Sequence, residues 1–553
     1  MRNILITILF CLTAGTLFAE RPASGTLYYD YTARQPWIER DTVLEGPDWS
    51  LPDWVEPAPN SCIVTNLRTT DATFPGNKTL KFNLTWRQLE PKEGVYEFQR
   101  YLDTLDAWQA RGIRSVELHV RGGVWCTNYY NKDKDGKYQV IRSTPGSAPQ
   151  WLRKYGVKLK NEFLMTNVSV PFRVVNCNVY DDQYQRFYHN FIRKVGASGL
   201  FDHPLVRVAY INFDTNHTRG EEGNGPDRKS GNHAKFVRTM QVWADALGDN
   251  KRKCMSVVGW SGDNLIEVLE MGFGQRNGFI EMYLAQVDNP LLGMSVDDKG
   301  YIIVDEEYPA IREQRAWGDE NEEYDAEFIP RFGPVETFRH RYIQSSLMAL
   351  VMRRNSIWEQ NGGVTLDPHF TAFMGLELGR TVENTPDIWC CLRESYIRRR
   401  TNKDITPVKN FERWLTQRDA AGARTKPTRK VVHGTEGILP NNLYNFYVRG
   451  KEYDCTARMG KKIGLHIDPR FLEKYKGGYA VKITFYDRGD FEVGYHTPEG
   501  SEIRTVHGMN DGQQKTATLL VGPLVNARRG FDLTIAAKQN VEISFVRVIK
   551  CLK

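Results

Sequence analysis

Residues 79–120 read TLKFNLTWRQLEPKEGVYEFQRYLDTLDAWQARGIRSVELHV. The first eight, 79–86, alternate well enough to predict a strand with one face buried. A turn-rich connection, QLEPKEGVYEF, follows. Phe98, Tyr101, Leu102, Leu105 and Trp108 then recur at helical spacing, and Gly112 ends that helix. SVELHV at 115–120 predicts the next strand. Strand, helix and strand within about forty residues make a unit of βαβ size.

The pattern repeats along the chain. Tyr184, Phe187, Tyr188, Phe191 and Ile192 mark a helix, and Val335 to Met352 predicts a long one. Further strands are expected at 203–214, 254–260, 278–284 and 312–320, and at the start of 355–362. With a first strand near Cys62 to Asn66 the count is eight. Eight strands separated by helices or long loops predict an α/β fold, a (β/α)₈ TIM barrel over residues 20–425. Beyond residue 432 the texture changes. GYAVKITFYD, FEVGYHT, TATLLVG and VEISFVRVIKCL are short strand-like runs between Gly, Asn and Asp. They predict a C-terminal all-β sandwich domain over 433–553, with KPTRK as the linker.

The N-terminus, MRNILITILFCLTAGTLFAE, has a positive start, a short apolar run and a small residue at Ala19. It reads as a signal peptide over 1–19, so the chain is expected to be secreted or periplasmic, with no membrane span. The eight cysteines beyond it form no CxxC pair, so the spacing predicts no zinc site. No metal and no cofactor are expected: HExxH, P-loop and dinucleotide fingerprints are absent. Net charge is +7, and residues 393–430 hold 12 Lys/Arg against 4 Asp/Glu. Such a run is a solvated face or a holder of acidic glycan; export points away from nucleic acid. The oligomeric state is not legible.

Barrel active sites lie at the C-terminal ends of the strands. There the sequence gathers carboxylates. The run RAWGDENEEYD at 315–325 puts Glu320 at the end of the seventh strand. Glu221 and Glu222 follow the fourth strand, which ends at Asp214. Glu281 lies in the sixth and Glu359 in the eighth. Two carboxylates flanking a glycosidic bond are what glycoside hydrolysis needs: one donates a proton, the other attacks carbon or activates water. Trp86, Trp125, Trp260, Trp317 and Trp358, near strand ends, are candidate stacking faces for sugar rings, or rim packing. Arg315, Arg121 and His119 are candidate supports for an ionised nucleophile. Glu90, in the loop leaving the motif strand, reads as structural.

Trp86, Leu89, Glu90, Pro91, Gly94, Tyr96 and Phe98 carry a resemblance. A strand ending in Trp that runs into LEP-x-x-G-x-Y-x-F resembles the clan-A glycoside hydrolases, in their β-galactosidase-like and β-xylosidase-like branches. The resemblance covers roughly residues 60–400, weakly outside this motif. It implies retention, an acid/base after the fourth strand and a nucleophile ending the seventh. Carried over, these are Glu221 or Glu222, and Glu320. The usual Asn-Glu pair after the fourth strand is absent. Asp214-Thr215-Asn216 stands there, which makes Asp214 a substitute candidate, and Glu359 rivals Glu320. The expected partner is a carbohydrate substrate, a β-linked glycan such as a galactan or an anionic (sulfated) polysaccharide. The alternative is a non-catalytic glycan-binding protein on a degenerate barrel.

Overall fold

The computed structural model describes residues 34–65, 78–166, 169–211, 228–256, 262–276, 293–321, 338–359, 367–396, 407–432 and 453–551. Eight short parallel strands run in chain order: β1 (Cys62–Thr65), β2 (Lys78–Thr85), β3 (Val116–Arg121), β4 (Val206–Ile211), β5 (Cys254–Ser256), β6 (Gly274–Arg276), β7 (Trp317–Asn321) and β8 (Ser356–Glu359). Each pairs with the next, and β8 pairs with β1, so the sheet closes into a barrel. Alternation sorts the side chains. Leu80, Leu84, Val116, Leu118 and Val120 join the core formed with the surrounding helices, while Cys62, Val208, Tyr210, Met255 and Ala316 cluster separately.

Two of the expected strands are displaced. The sixth is Gly274–Arg276, not 278–284, which lies outside the described residues. Glycine is needed there: a Cβ on Gly274 would stand 2.0 Å from the carbonyl oxygen of Ala316. The seventh begins only at Trp317, because Pro309–Arg312 forms a helical turn instead. The fifth is described only over Cys254–Ser256.

The loop leaving the C-terminal end of β3 carries an unanticipated element. Val124–Lys132, Tyr138–Pro145, Leu159–Met165 and Phe172–Cys177 form a separate four-stranded antiparallel sheet ahead of the helix Asp182–Gly196. The hairpin between its first two strands turns at NKDKDGK. The Asp133 carboxylate accepts the backbone N–H groups of Asp135 and Lys137, and Gly136 takes φ +76°.

Apart from a two-stranded sheet of Met294–Val296 and Ile302–Val304, the remaining strands form one eleven-stranded sheet whose pairings are antiparallel. Two long strands, Tyr453–Ile467 and Leu533–Lys550, span it, and residues from both halves of the second meet in one core with Val481, Ile483, Val493 and Tyr495. This fits the expected sandwich, but the expected boundary at 425–433 falls inside it. Asp387–Tyr396 pairs with Leu533–Lys550, and Thr42–Glu45 pairs with Gln514–Val521. The segment DIWCCLRESY is buried almost throughout, which is why it sits within the sheet rather than on the barrel's outside.

Barrel and sheet share a core. Trp49 lies edge-on to Phe370 at 4.9 Å and to Phe545 at 5.2 Å, with Phe373 at 5.3 Å. The same cluster holds Ile63 and Ile357 of the barrel and Ile549 of the sheet. Buried ion pairs stitch the seam. Arg547 meets Asp387 at 2.7 Å and donates to the carbonyls of Asp48 and Ser50, and Lys482 pairs with Asp48. All eight cysteines of the described chain are free thiols, and all but Cys126 are buried. No helix among the described residues is long and apolar enough to cross a membrane. Trp49→Ala is expected to cost about 3–5 kcal/mol of unfolding free energy in a denaturant titration, as deletion of a large buried aromatic does.

Candidate active site

The motif at 86–98 turns out to be a local brace. Thr85 caps the helical turn Trp86–Leu89 in a capping box with Gln88. The Trp86 indole N–H donates to Glu90 at 2.7 Å, and the other Glu90 oxygen accepts the Gly94 N–H at 2.9 Å. Trp86 is fully buried, stacked on Phe191 at 5.1 Å and edge-on to Trp151 and Tyr184. It packs against helices and offers no face to a sugar. Trp317 is corrected likewise. It opens β7 on the outward parity, buried against Tyr308 and under Arg354. Trp125 lies half-buried in the inserted sheet rather than at a barrel strand's end. Arg315 precedes β7, so it stands at the far end of that strand from Glu320, and its guanidinium is spent on Glu313 and the carbonyls of Leu269 and Phe273.

Inside the barrel, polar residues recur at period two. Lys81 lies on β2, Glu117 and His119 on β3, Tyr210 on β4, Arg276 on β6 and Trp358 on β8. His119 Nε2 contacts the Glu117 carboxylate, and its ring stacks on Tyr210 at 4.8 Å. Arg276 Nη1 donates to the Tyr210 hydroxyl at 3.3 Å. The Lys81 ammonium sits 3.8 Å from the centre of the Trp358 ring, and the Arg276 guanidinium 5.3 Å from it.

Electrostatics fixes the protonation of this layer. Burial drives His119 down to about 3, with the Lys81 charge adding to the effect and Glu117 opposing it. Burial works against an ionised Glu117 too, but the groups around it hold its carboxyl below the usual range. His119 comes first among them, through its hydrogen bond, and the Lys81 and Arg276 charges follow. The neutral imidazole donates Nε2–H to the carboxylate. Its Nδ1 is buried and has no hydrogen-bond partner among the described residues.

The strand register places the backbone of the remaining candidates. Glu320 pairs with Trp358 across β7 and β8, and Gly318 two residues before it pairs with Ser356. Gly318 is on the inward parity, since a Cβ there would meet Met255 Sδ at 2.7 Å and Ser356. Glu320 therefore occupies an inward position at the C-terminal end of β7, level with Trp358. Glu359 pairs with Asn321 and Thr65, on the parity of the outward Ile357. Asp214, Glu221, Glu222, Trp260 and Glu281 lie outside the described residues. Lys81, Glu117, Tyr210 and Arg276 were not anticipated. Their signal was charge and phenol at alternate positions within otherwise apolar strands. Among the described residues no cluster of three His, Cys, Asp or Glu side chains is arranged to hold a metal ion. A cavity of about 180 Å³ lined by Asn60, Glu306, Arg353 and Trp414 lies at the opposite end, where β1 and β8 begin.

No family model matches the chain, and no curated protein matches it. Similar solved structures include endo-glycoceramidase II from Rhodococcus sp., at 10% identity and TM-score 0.31 over 91% of this chain and 100% of that one. Another is the exo-beta-1,4-mannosidase Op5Man5 from Opitutaceae bacterium strain TAV5, at 13%, TM-score 0.26, over 54% and 42%. A third is a family 39 glycoside hydrolase from Bacteroides cellulosilyticus WH2, at 9%, TM-score 0.28, over 87% and 76%. Overlap this loose carries no residue correspondence.

A histidine held at about 3 in the fold titrates near 6.5 when unfolded, so the unfolded state binds the extra proton. Its stabilising effect is complete above pH ~6.5 and is lost as pH falls toward ~3. His119→Gln is expected to flatten this part of the stability–pH curve in part, leaving the shares due to His189, which burial lowers to about 4, and to carboxyls held below their usual range, such as Glu306. Thermal melts of both proteins across that window check it.

Proposed function

We propose that this chain is an exported glycoside hydrolase that cleaves β-linked glycans at the C-terminal mouth of the barrel. Glu320 is the proposed nucleophile. The proposed acid/base comes from the segment after β4, Glu221 or Glu222, with Asp214 as substitute. The observation that carries the reading is the pairing of Glu320 with Trp358 on the inward parity of β7 and β8. Support also comes from the charges beneath. Lys81 and Arg276 favour an ionised carboxylate in this layer, the state a nucleophile requires.

In the proposed mechanism the Glu320 carboxylate attacks the anomeric carbon as the second acid protonates the departing oxygen. A glycosyl ester forms, and water admitted by the deprotonated acid/base then releases the sugar with retained configuration. The run 393–430 gives an anionic substrate only partial support, with Arg424, Lys426 and Lys430 exposed and other cations paired within the protein. Four of its cations are engaged internally, Arg393 with Asp454, Arg413 with Glu377, Arg418 with Glu412 and Arg429 with Glu542. A neutral β-linked glycan, such as a galactan, is the substrate we favour. The N-terminal apolar segment supports export.

The test is hydrolysis of a panel of neutral and sulfated glycans by the wild type, Glu320→Gln and Glu359→Gln, each checked for folding by circular dichroism. Glu320→Gln is expected to lose roughly three orders of magnitude in kcat, as loss of a nucleophile does. Glu359→Gln should stay within about tenfold of wild type. The reverse pattern would move the nucleophile to β8. Glycan binding without cleavage by the wild type would replace the hydrolase with a lectin-like barrel.

A further inference from the structure

The sheet inserted after β3 is a second basic stretch of the chain, beside the run 393–430. Residues 122–177 hold nine Lys/Arg against three Asp/Glu, a surplus of six in a chain whose whole surplus is seven. Most of these cations face water, whereas Arg393 and Arg413 of the run 393–430 are buried in ion pairs. Lys132, Lys134, Lys137, Arg142, Arg153, Lys158 and Lys160 are exposed.

The same sheet displays branched aliphatic side chains. Val140, Ile141, Leu159 and Val170 are 54%, 60%, 48% and 45% exposed, four of the eleven large apolar residues that stand out in water among the described residues. Three of them gather at the end of the sheet remote from the barrel. Tyr130 pairs with Val140 across the hairpin, and its N–H bonds to the carbonyl of Pro171, the neighbour of Val170. Lys132, Lys134, Lys137 and Arg142 surround that end in sequence and register. Because the insertion springs from the C-terminal end of β3, it belongs to the mouth side of the barrel.

We propose that the free end of this sheet is a docking surface for an anionic lipid bilayer. The cations are drawn to anionic headgroups, and Val140, Ile141 and Val170 enter the boundary between headgroups and acyl chains. An acidic polysaccharide would use the cations equally, but branched aliphatics offer it no flat stacking face, so it leaves half of the surface unexplained. Docking this way sets the barrel mouth near the membrane. The inference is independent of the hydrolase reading, since binding is measured without turnover.

The test is co-sedimentation of the purified protein with vesicles of phosphatidylcholine alone and of phosphatidylcholine mixed with phosphatidylserine. Binding to the mixed vesicles only is expected, weakening as NaCl is raised. Each cation near the surface contributes about fivefold in partitioning, so Lys132→Gln/Lys134→Gln/Lys137→Gln should weaken binding by roughly a hundredfold. Val140→Ser/Ile141→Ser, which leaves the charge intact, should weaken it by about tenfold or more. All the substitutions are at exposed positions, and circular dichroism confirms the fold. No sedimentation with the mixed vesicles overturns the proposal. So does capture by dextran sulfate as strong as by the vesicles together with an unaffected serine variant, which would make the sheet a polyanion-binding surface.

Discussion

The barrel depends on the hydrogen bonds between β8 and β1. Ser356, Ile357, Trp358 and Glu359 pair with Cys62, Ile63, Val64 and Thr65. Without that seam the eight strands are an open sheet with two unpaired edges. With it, the inward and outward parities of every strand are fixed at once, since a slip of one residue would reverse them. The position of Glu320 beside Trp358, the ladder of Lys81, Glu117 and His119, and the outward location of Ile357 are consequences of one register. The seam is reinforced from behind, where Ile63 and Ile357 join the core centred on Trp49.

The polar layer inside the barrel is affordable because its charges are mutual. Glu117 is buried with His119 and near two cations, and no member of the group faces an apolar wall alone. Neutral His119 is the hinge of that arrangement. As a donor to Glu117 it satisfies the carboxylate, and as an unprotonated ring it spares the barrel a third positive charge.

Much of this was legible in the sequence, for definite reasons. Strand alternation and helical spacing are local, so TLKFNLT, SVELHV and the long helix before β8 announced the barrel, and β7 ended near Glu320 as expected. What was lost depended on contacts far apart in sequence. Trp86 and Trp317 sit at strand ends, and only packing tells that both turn to the helices. The strand Asp387–Tyr396 pairs nearby with Val408–Arg413, but its tie to the C-terminal sheet runs through Tyr453–Ile467 and Leu533–Lys550, far later in the chain. The basic run is part surface, as at Arg424 and Lys426, and part interior, at Arg393 and Arg413, whose acidic partners Asp454 and Glu377 lie outside it. The inserted sheet was missed because its strands, such as VWCTNYYNK and YQVIRSTP, mix apolar and polar residues without clean alternation.

The core shared by barrel and sheet bears on motion and inheritance as much as on stability. Trp49, Phe370, Phe373 and Phe545 belong to three separated stretches of chain, and a hinge between barrel and sheet would have to pull them apart. Rigid-body closure of one part over the other is therefore closed to this molecule, and any gating at the mouth falls to loops. The sheet is not a cassette that can be exchanged for another, as accessory modules on flexible linkers are. Barrel and sheet must unfold, and must have diverged, together.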